Sequence, residues 1–336
     1  MLRPELLKIA KIERAIAALA PLEKKCTLCP RVCGVNRVKG ETGICQSGIR
    51  ATLSTALLHY GEEPVLSGRQ DWATGKKRSP NARRGSGTIF FTGCNLKCLF
   101  CQNYQISWLG QGRPVDDRKL ADMMLSLQDQ GAHNINLVSP THLIVPILQA
   151  LKIAYRNGLH IPLVYNTNGY EKIEVIEKLA GIMDVYLPDL KYHSPQIAKK
   201  FSAAADYFRQ ASAAIQEMYF QQPDLVLDDD DIAQRGLIIR HLVLPGQTED
   251  SLAILEWIAG NLSTSVSLSL MSQYRPCFRA PEEIQRPLTS AEYQTVLSKA
   301  KELGLENLFV QSEIFLPDEH LVPDFNLKEP FRWNKK

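Results

Sequence analysis

The sequence predicts an α/β fold, a partial (β/α)6 barrel preceded by a small cysteine-rich segment. Three observations predict it. From Gly85 onward, short apolar, β-branched runs alternate with longer stretches at helical spacing. The runs are continuously apolar, as expected of parallel strands buried on both faces. Six such units follow one another, which suits an incomplete barrel; a doubly wound sheet is the alternative.

The elements follow in order. An amphipathic helix is expected over residues 4–20. Next comes "CTLCPRVCGVNRVKGETGIC", carrying Cys26, Cys29, Cys33 and Cys45, and then "ATLSTALLHYGEEPVLSG", read as partly extended. The polar, basic stretch 69–84 is interrupted by Pro and Gly and reads as an exposed loop or insertion. The candidate strands are "GTIFFTG", "NINLVS", "IPLVYNTN", "MDVYLPDLK", "GLIIRHLVLPG" and "SVSLSLMSQY". Helical patterns lie near 118–130, 143–157, 172–179, 196–221, 251–261 and 290–303. The acidic run 228–231 reads as a solvated turn before a strand. These divisions give an N-terminal unit over 1–84, a barrel over 85–315 and a C-terminal tail over 316–336.

Composition bounds the function. The chain has 336 residues, 45% hydrophobic and 22% charged, which is ordinary globular usage. A net charge of +3 is too small to argue for nucleic acid. The N-terminus lacks the uninterrupted apolar core of a signal peptide. No run approaches the roughly 18 apolar residues of a membrane span. The expectation is therefore a cytoplasmic protein without a membrane partner. In that compartment thiols stay reduced, and clustered cysteines point to metal rather than disulfides.

Three of the eight cysteines fall in "GCNLKCLFCQN": Cys94, Cys98 and Cys101, spaced C-x-x-x-C-x-x-C. The loop follows the first barrel strand, at the strand end where barrel enzymes gather their chemistry. Three thiolates can hold three irons of a cubane and leave the fourth open, whereas most electron-transfer clusters have four Cys ligands. Three ligands of a zinc site, or inert core thiols, are the competing readings.

The spacing, with Phe100 as the aromatic before the third cysteine, resembles the radical S-adenosylmethionine (SAM) superfamily. "HYGEEPVLSG", "GSGTIFFTGCNLKCLFCQNYQIS", "NINLVSPTH", "VYNTNGYE", "VYLPDLKY", "IIRHLVLPG" and "LMSQYRP" together resemble its pyruvate formate-lyase activating enzyme-like subfamily. The resemblance runs from Cys26 to about Phe315. It implies a radical-SAM barrel and a [4Fe-4S] cluster on Cys94, Cys98 and Cys101, with SAM chelating the open iron. It also implies reductive cleavage of SAM to a 5′-deoxyadenosyl radical that abstracts hydrogen from a glycine of a partner enzyme. A one-electron donor such as flavodoxin or ferredoxin and a protein substrate follow from it.

The remaining site candidates sit at strand ends. Relatives often carry Gly-Gly-Glu after the second strand. Here Ser139, Pro140 and Thr141 stand there, offering backbone carbonyls and the Thr141 hydroxyl but no carboxylate. Asn166 and Asn168 suit a ribose or carboxylate, with turn formation the competing role. Lys191 matches an Asp-Leu-Lys motif near the carboxylate of SAM; Asp189 orients it or caps the next helix. Arg240 and His241 are adjacent, so at most one faces the barrel interior. Gln273, Tyr274 and Arg275 end the sixth strand, and Cys277 reads as a structural thiol.

Cys26, Cys29, Cys33 and Cys45 have the spacing of a closed four-thiolate site, compatible with zinc or a second iron–sulfur cluster. Relay clusters of similar activases follow the core motif, whereas this segment precedes it, which favours a structural role. Two other functions stay open. One is radical SAM modification of RNA or a small metabolite, with Lys76, Lys77 and the stretch 78–84 as a phosphate grip. The other is a non-catalytic zinc-binding interaction module.

Overall fold

The computed structural model describes residues 4–68, 85–310 and 322–331. The basic stretch 69–84 lies outside them, as does much of the C-terminal tail. The strands are β1 (Ala51–His59), β2 (Ser86–Phe91), β3 (Arg113–Val115), β4 (Ile135–Val138), β5 (Leu163–Thr167), β6 (Val185–Pro188), β7 (Val226–Leu227), β8 (Ala233–Leu242), β9 (Ser267–Met271) and β10 (Leu308–Val310). The helices are α1 (Pro4–Leu19), α2 (Pro64–Ser67), α3 (Tyr104–Ser107), α4 (Asp117–Asp129), α5 (Ile144–Arg156), α6 (Ile173–Lys178), α7 (Pro195–Ser202), α8 (Tyr207–Gln221), α9 (Thr248–Asn261) and α10 (Ser290–Glu302).

The sheet order is β10-β9-β8-β6-β5-β4-β2-β1-β3. The pairs joining β2, β4, β5, β6, β8, β9 and β10 are all parallel. This is the mostly parallel sheet of a partial (β/α)6 barrel, and its six central strands are the six expected ones. "ATLSTALLH" forms β1, which pairs antiparallel with β2 and with β3. The single helix expected over 196–221 is two helices, broken where Ala203 turns left-handed at φ 48°. Among the described residues, no helix is long and apolar enough to cross a membrane.

Two features shape the barrel interior. After β1 the chain dips inward, and α2 packs Val65 and Leu66 against Val164, Val185, Leu187 and Ile238. Leu66 is fully buried, and its carbonyl accepts from Asn134 Nδ2 at 2.8 Å. This short helix is a plug inside the parallel strands. At the other end of the chain, Phe325 and Phe331 pack on Phe90. Gln105 Nε2 donates to Asp324 Oδ1 at 2.9 Å, tying this segment to α3.

Candidate active site

The strand ends surround a cavity of ≈ 660 Å³. Strand alternation decides which side chains reach it. On β8, Arg240 and Leu242 line the cavity, as do Ser269 and Met271 on β9. His241 points the other way, where its ring nitrogens bond Leu190 O at 2.7 Å and Ser251 Oγ at 2.9 Å. Of the adjacent pair, Arg240 is the interior residue.

Cys94, Cys98 and Cys101 all line this cavity. The chain between them is short and tightly held. Leu99 N donates to Phe201 O at 2.9 Å, Trp108 Nε1 to Cys98 O at 2.9 Å, and Asn95 Nδ2 to Tyr170 O at 2.7 Å. Lys97 sits left-handed at φ 60°, and its ammonium donates to Ser107 O at 2.7 Å. Donors also face the sulfurs. Asn168 Nδ2 and Leu96 N each lie 3.4 Å from Cys94 Sγ, and Ser107 Oγ lies 3.3 Å from Cys101 Sγ.

Burial pushes the Cys101 thiol up to about 12, helped by the charge of Cys98, while the Ser107 hydroxyl opposes it. The Cys98 thiol is raised by burial, against the pull of Lys191. Such thiols stay protonated until a metal takes the proton's place. Among the described residues, no three His, Cys, Asp or Glu side chains, those of Cys26, Cys29, Cys33 and Cys45 included, already stand at single-ion spacing. A cubane spreads its protein ligands over separate irons, so three thiols facing one cavity fit a cluster.

Ser139, Asn166, Asn168, Asp189 and Lys191 share the cavity with the cysteines, as do Gln273, Tyr274 and Arg275. Lys191 Nζ donates to Asp189 Oδ2 at 2.6 Å. Burial lowers its affinity for the proton, but Asp189 and the cysteines outweigh this and raise it, so the ammonium is held charged. The Tyr274 hydroxyl is spent on Ile284 O at 2.8 Å.

Thr141 is buried behind the wall. It donates to Glu171 Oε1 at 2.5 Å, and the Thr167 and Tyr165 hydroxyls bond the same oxygen. Burial pushes the Glu171 carboxyl up to about 7, against those hydroxyls. Its Oε2 has no hydrogen-bond partner.

Deeper in the cavity lies a charged cluster that sequence reasoning missed. Arg240 Nε donates to Glu63 Oε1 at 2.8 Å, and Nη2 bonds both Glu63 and Glu62. Asn136 Nδ2 and His59 Nδ1 approach Glu62 Oε1 at 3.0 and 3.2 Å. Burial raises the Glu62 carboxyl, but Arg240 and His59 together hold it well below the usual carboxylate range. The signal was two adjacent glutamates between apolar runs, in a segment otherwise read as partly extended.

The N-terminal cysteines form a second group. Cys26, Cys29, Cys33 and Cys45 line one small recess on the outer side of the Cys94 loop. Cys26, Cys29 and Cys45 are buried and Cys33 is half-buried. Burial, reinforced by the other three cysteines and opposed by a backbone hydrogen bond from Arg31, pushes the Cys29 thiol up to about 12. Cys277, by contrast, is half-buried and joins neither group.

A mostly parallel α/β sheet with three cysteines on the loop after its first parallel strand defines a class, and comparison with known proteins agrees. The chain belongs to the radical SAM superfamily, whose family description matches residues 88–258. It is therefore an enzyme of the kind that uses SAM and a [4Fe-4S] cluster, which sets aside the non-catalytic zinc module. An uncharacterized protein of Methanocaldococcus jannaschii is 32% identical over 298 residues, 85% of this chain and 77% of the relative. Among solved structures, Streptococcus suis SuiB is similar over 68% of this chain at 12% identity, with a TM-score of 0.41. SuiB bound to the precursor peptide SuiA is similar over 65%, at 12% identity and a TM-score of 0.44. The chain spans about half the length of those solved chains, 48% and 46%.

Proposed function

We propose that this radical SAM enzyme acts on a protein, taking a hydrogen atom from a glycine of a partner glycyl-radical enzyme, as in the pyruvate formate-lyase activating enzyme-like subfamily. The observation that carries the reading is the form of the site. Three cysteines stand at one end of a cavity whose rim, at Gln102, Asn103 and Arg275, is exposed or half-buried. A backbone loop carrying a glycine can enter there.

Cys94, Cys98 and Cys101 would hold the [4Fe-4S] cluster. When bound, it supplies the electron that cleaves SAM to methionine and the 5′-deoxyadenosyl radical. The rest of the work belongs to the chain. Lys191, kept charged by Asp189, pairs with the carboxylate of SAM. Asn166 and the backbone at Ser139 hold its polar groups; Asn168, whose amide is engaged by Asn95 Oδ1 and Tyr170 N, shapes the wall beside Cys94, and Thr141 braces that wall through Glu171. The electron comes from a one-electron donor such as flavodoxin or ferredoxin. Residues 85–315 are the catalytic core on this reading, with 1–84 and 316–336 flanking it. Cys26, Cys29, Cys33 and Cys45 hold a second metal centre, zinc or iron–sulfur.

The Glu62–Glu63–Arg240 cluster favours a second reading, a small polar metabolite bound deep in the barrel. One experiment separates the two. The reconstituted enzyme is reduced anaerobically with SAM and a glycyl-radical enzyme deuterated at glycine. Deuterium in the 5′-deoxyadenosine and a glycyl radical signal are expected. SAM cleavage with neither points to the metabolite. Alanine at Cys94, Cys98 or Cys101 should abolish cleavage; retained cleavage refutes the cluster assignment.

A further inference from the structure

The four-cysteine segment grips the loop of the other three cysteines through one side chain. Arg31 lies between Cys29 and Cys33. Its Nε donates to Asn95 O at 2.8 Å, and its Nη2 to Leu96 O at 2.9 Å. Nη2 also donates to Ser202 O at 2.8 Å, and Nη1 to Ala203 O at 2.5 Å. Asn95 and Leu96 directly follow Cys94, and Ser202 and Ala203 close α7, whose Phe201 carbonyl holds Leu99 N. One guanidinium thus ties the turn between Cys94 and Cys98 to the end of α7. The fork of fixed N–H directions makes this an arginine task, because an ammonium cannot serve four spread carbonyls.

The two segments also meet directly. A Cβ added to Gly93, which sits at φ +78°, would lie 2.3 Å from Cys45 O and 2.7 Å from Ser47 Oγ. The backbone after the fourth N-terminal cysteine therefore rests on the residue just before Cys94.

Independent of the cysteines, two buried side chains beside them carry nitrogens without a hydrogen-bond partner. Arg37 is 1% exposed and lines the same recess. Its Nε donates to Ser47 O at 3.2 Å and its Nη1 is 3.8 Å from Glu23, but neither Nη1 nor Nη2 has a hydrogen-bond partner. His142 lines the recess too. Its Nε2 faces the Thr92 carbonyl at 2.8 Å and so carries the proton, while Nδ1 has no partner. Glu23 is the ion-pair partner of Arg37 on one side; a buried guanidinium is further stabilised by negative charge on the side that faces the recess. Four thiolates drawn together around a divalent metal or an iron–sulfur core would supply it.

We propose that the four-cysteine segment is a metal-set clamp: a metal centre on Cys26, Cys29, Cys33 and Cys45, balanced by Arg37, fixes Arg31 so that it preorganises the loop bearing Cys94, Cys98 and Cys101. The proposal rests on the assignment of those three as cluster ligands. Arg31 is a positioning residue, since it touches the loop and not the reacting atoms. Occupancy of the outer site then governs how firmly the barrel cluster is held.

The test uses the full chain, reconstituted anaerobically with zinc(II) or with iron(II) and sulfide. Wild type, Arg31→Lys, Arg31→Gln and the double variant Cys29→Ser/Cys33→Ser are compared. The readouts are metal content, the rate of iron loss to a chelator, and the paramagnetic resonance spectrum of the reduced cluster with and without SAM. Both Arg31 variants should keep the outer metal yet lose barrel iron roughly tenfold faster or more, the scale of a lost charge-assisted bond. Their SAM-induced spectral change should also be altered, and Arg31→Lys should not rescue it. The double variant should lose the outer metal and show the same defects. Wild-type chelation rates and spectra in the Arg31 variants overturn the clamp, as does a wild-type metal content in the double variant. Full iron retention in a Cys94/Cys98/Cys101 alanine variant overturns the underlying cluster assignment, and the clamp with it. The zinc and iron arms identify which metal the outer site takes.

Discussion

At the scale of single residues, neighbours decide what each polar group contributes. Glu171 is a carboxyl enclosed by the Thr141, Thr167 and Tyr165 hydroxyls. Its pKa in the fold, about 7, lies above the ordinary value of about 4.3. The native state therefore holds an extra proton between those values, and stability falls as pH rises through that window, by roughly 4 kcal/mol at most. Glu171→Gln should remove this slope. Urea midpoints at pH 5 and pH 8 measure it, and an unchanged slope would mean that Glu171 is already ionised in the fold. None of this is legible in "VYNTNGYE", because the hydroxyls that enclose Glu171 come from three separate positions. Lys191 was legible, because its motif places it at a strand end. Its partner Asp189, only two residues away, was legible as well.

At the scale of elements, the six central parallel strands were plain in the sequence because each is a short run rich in apolar, β-branched residues bounded by turn residues. The plug α2 was not. "PVLS" is four residues long, with too few turns for a helical period to register. Burial inside the barrel is what gives it shape. Leu66→Ala should cost about 2–5 kcal/mol, the range for emptying a packed site. Its measure is the denaturation midpoint, and a loss below about 1 kcal/mol would mean that the plug is loosely seated. The break at Ala203 has a similar lesson. A helical pattern ran through 196–221, yet the carbonyls of Ser202 and Ala203 are spent on Arg31 instead of continuing one helix.

At the scale of the whole molecule, contacts between distant segments hold the cavity open and polar. Arg240 on β8 reaches Glu62 and Glu63 after β1, across 178 and 177 residues of chain. Arg240→Ala would leave two buried carboxylates without their cation, at a cost of about 3–5 kcal/mol. The sign with pH is fixed. In wild type the depressed Glu62 contributes stability above the ordinary carboxylate range and loses it as pH falls. In the variant, burial raises the Glu62 carboxyl with only His59 opposing it, so protonation relieves it. The deficit against wild type should be largest near pH 7.5 and should shrink toward pH 5; an equal deficit at both would rule out charge burial as its cause.

The sequence by itself determined the class of this protein: a parallel α/β barrel with three cysteines on the loop after its first strand. Both are local facts, set by apolar runs and by spacing along a few residues, and local facts survive in a linear text. Only the tertiary structure decided that Arg240 rather than His241 faces the cavity, that Thr141 lies behind its wall and that Arg31 holds the Cys94 turn. Those depend on strand phase and on partners far along the chain: Glu171 lies 30 residues from Thr141, and Asn95 and Ser202 lie 64 and 171 residues from Arg31. A hydrogen bond is made by atoms within about 3 Å of each other, and nothing in the spacing of a sequence records which distant carbonyl will come that close.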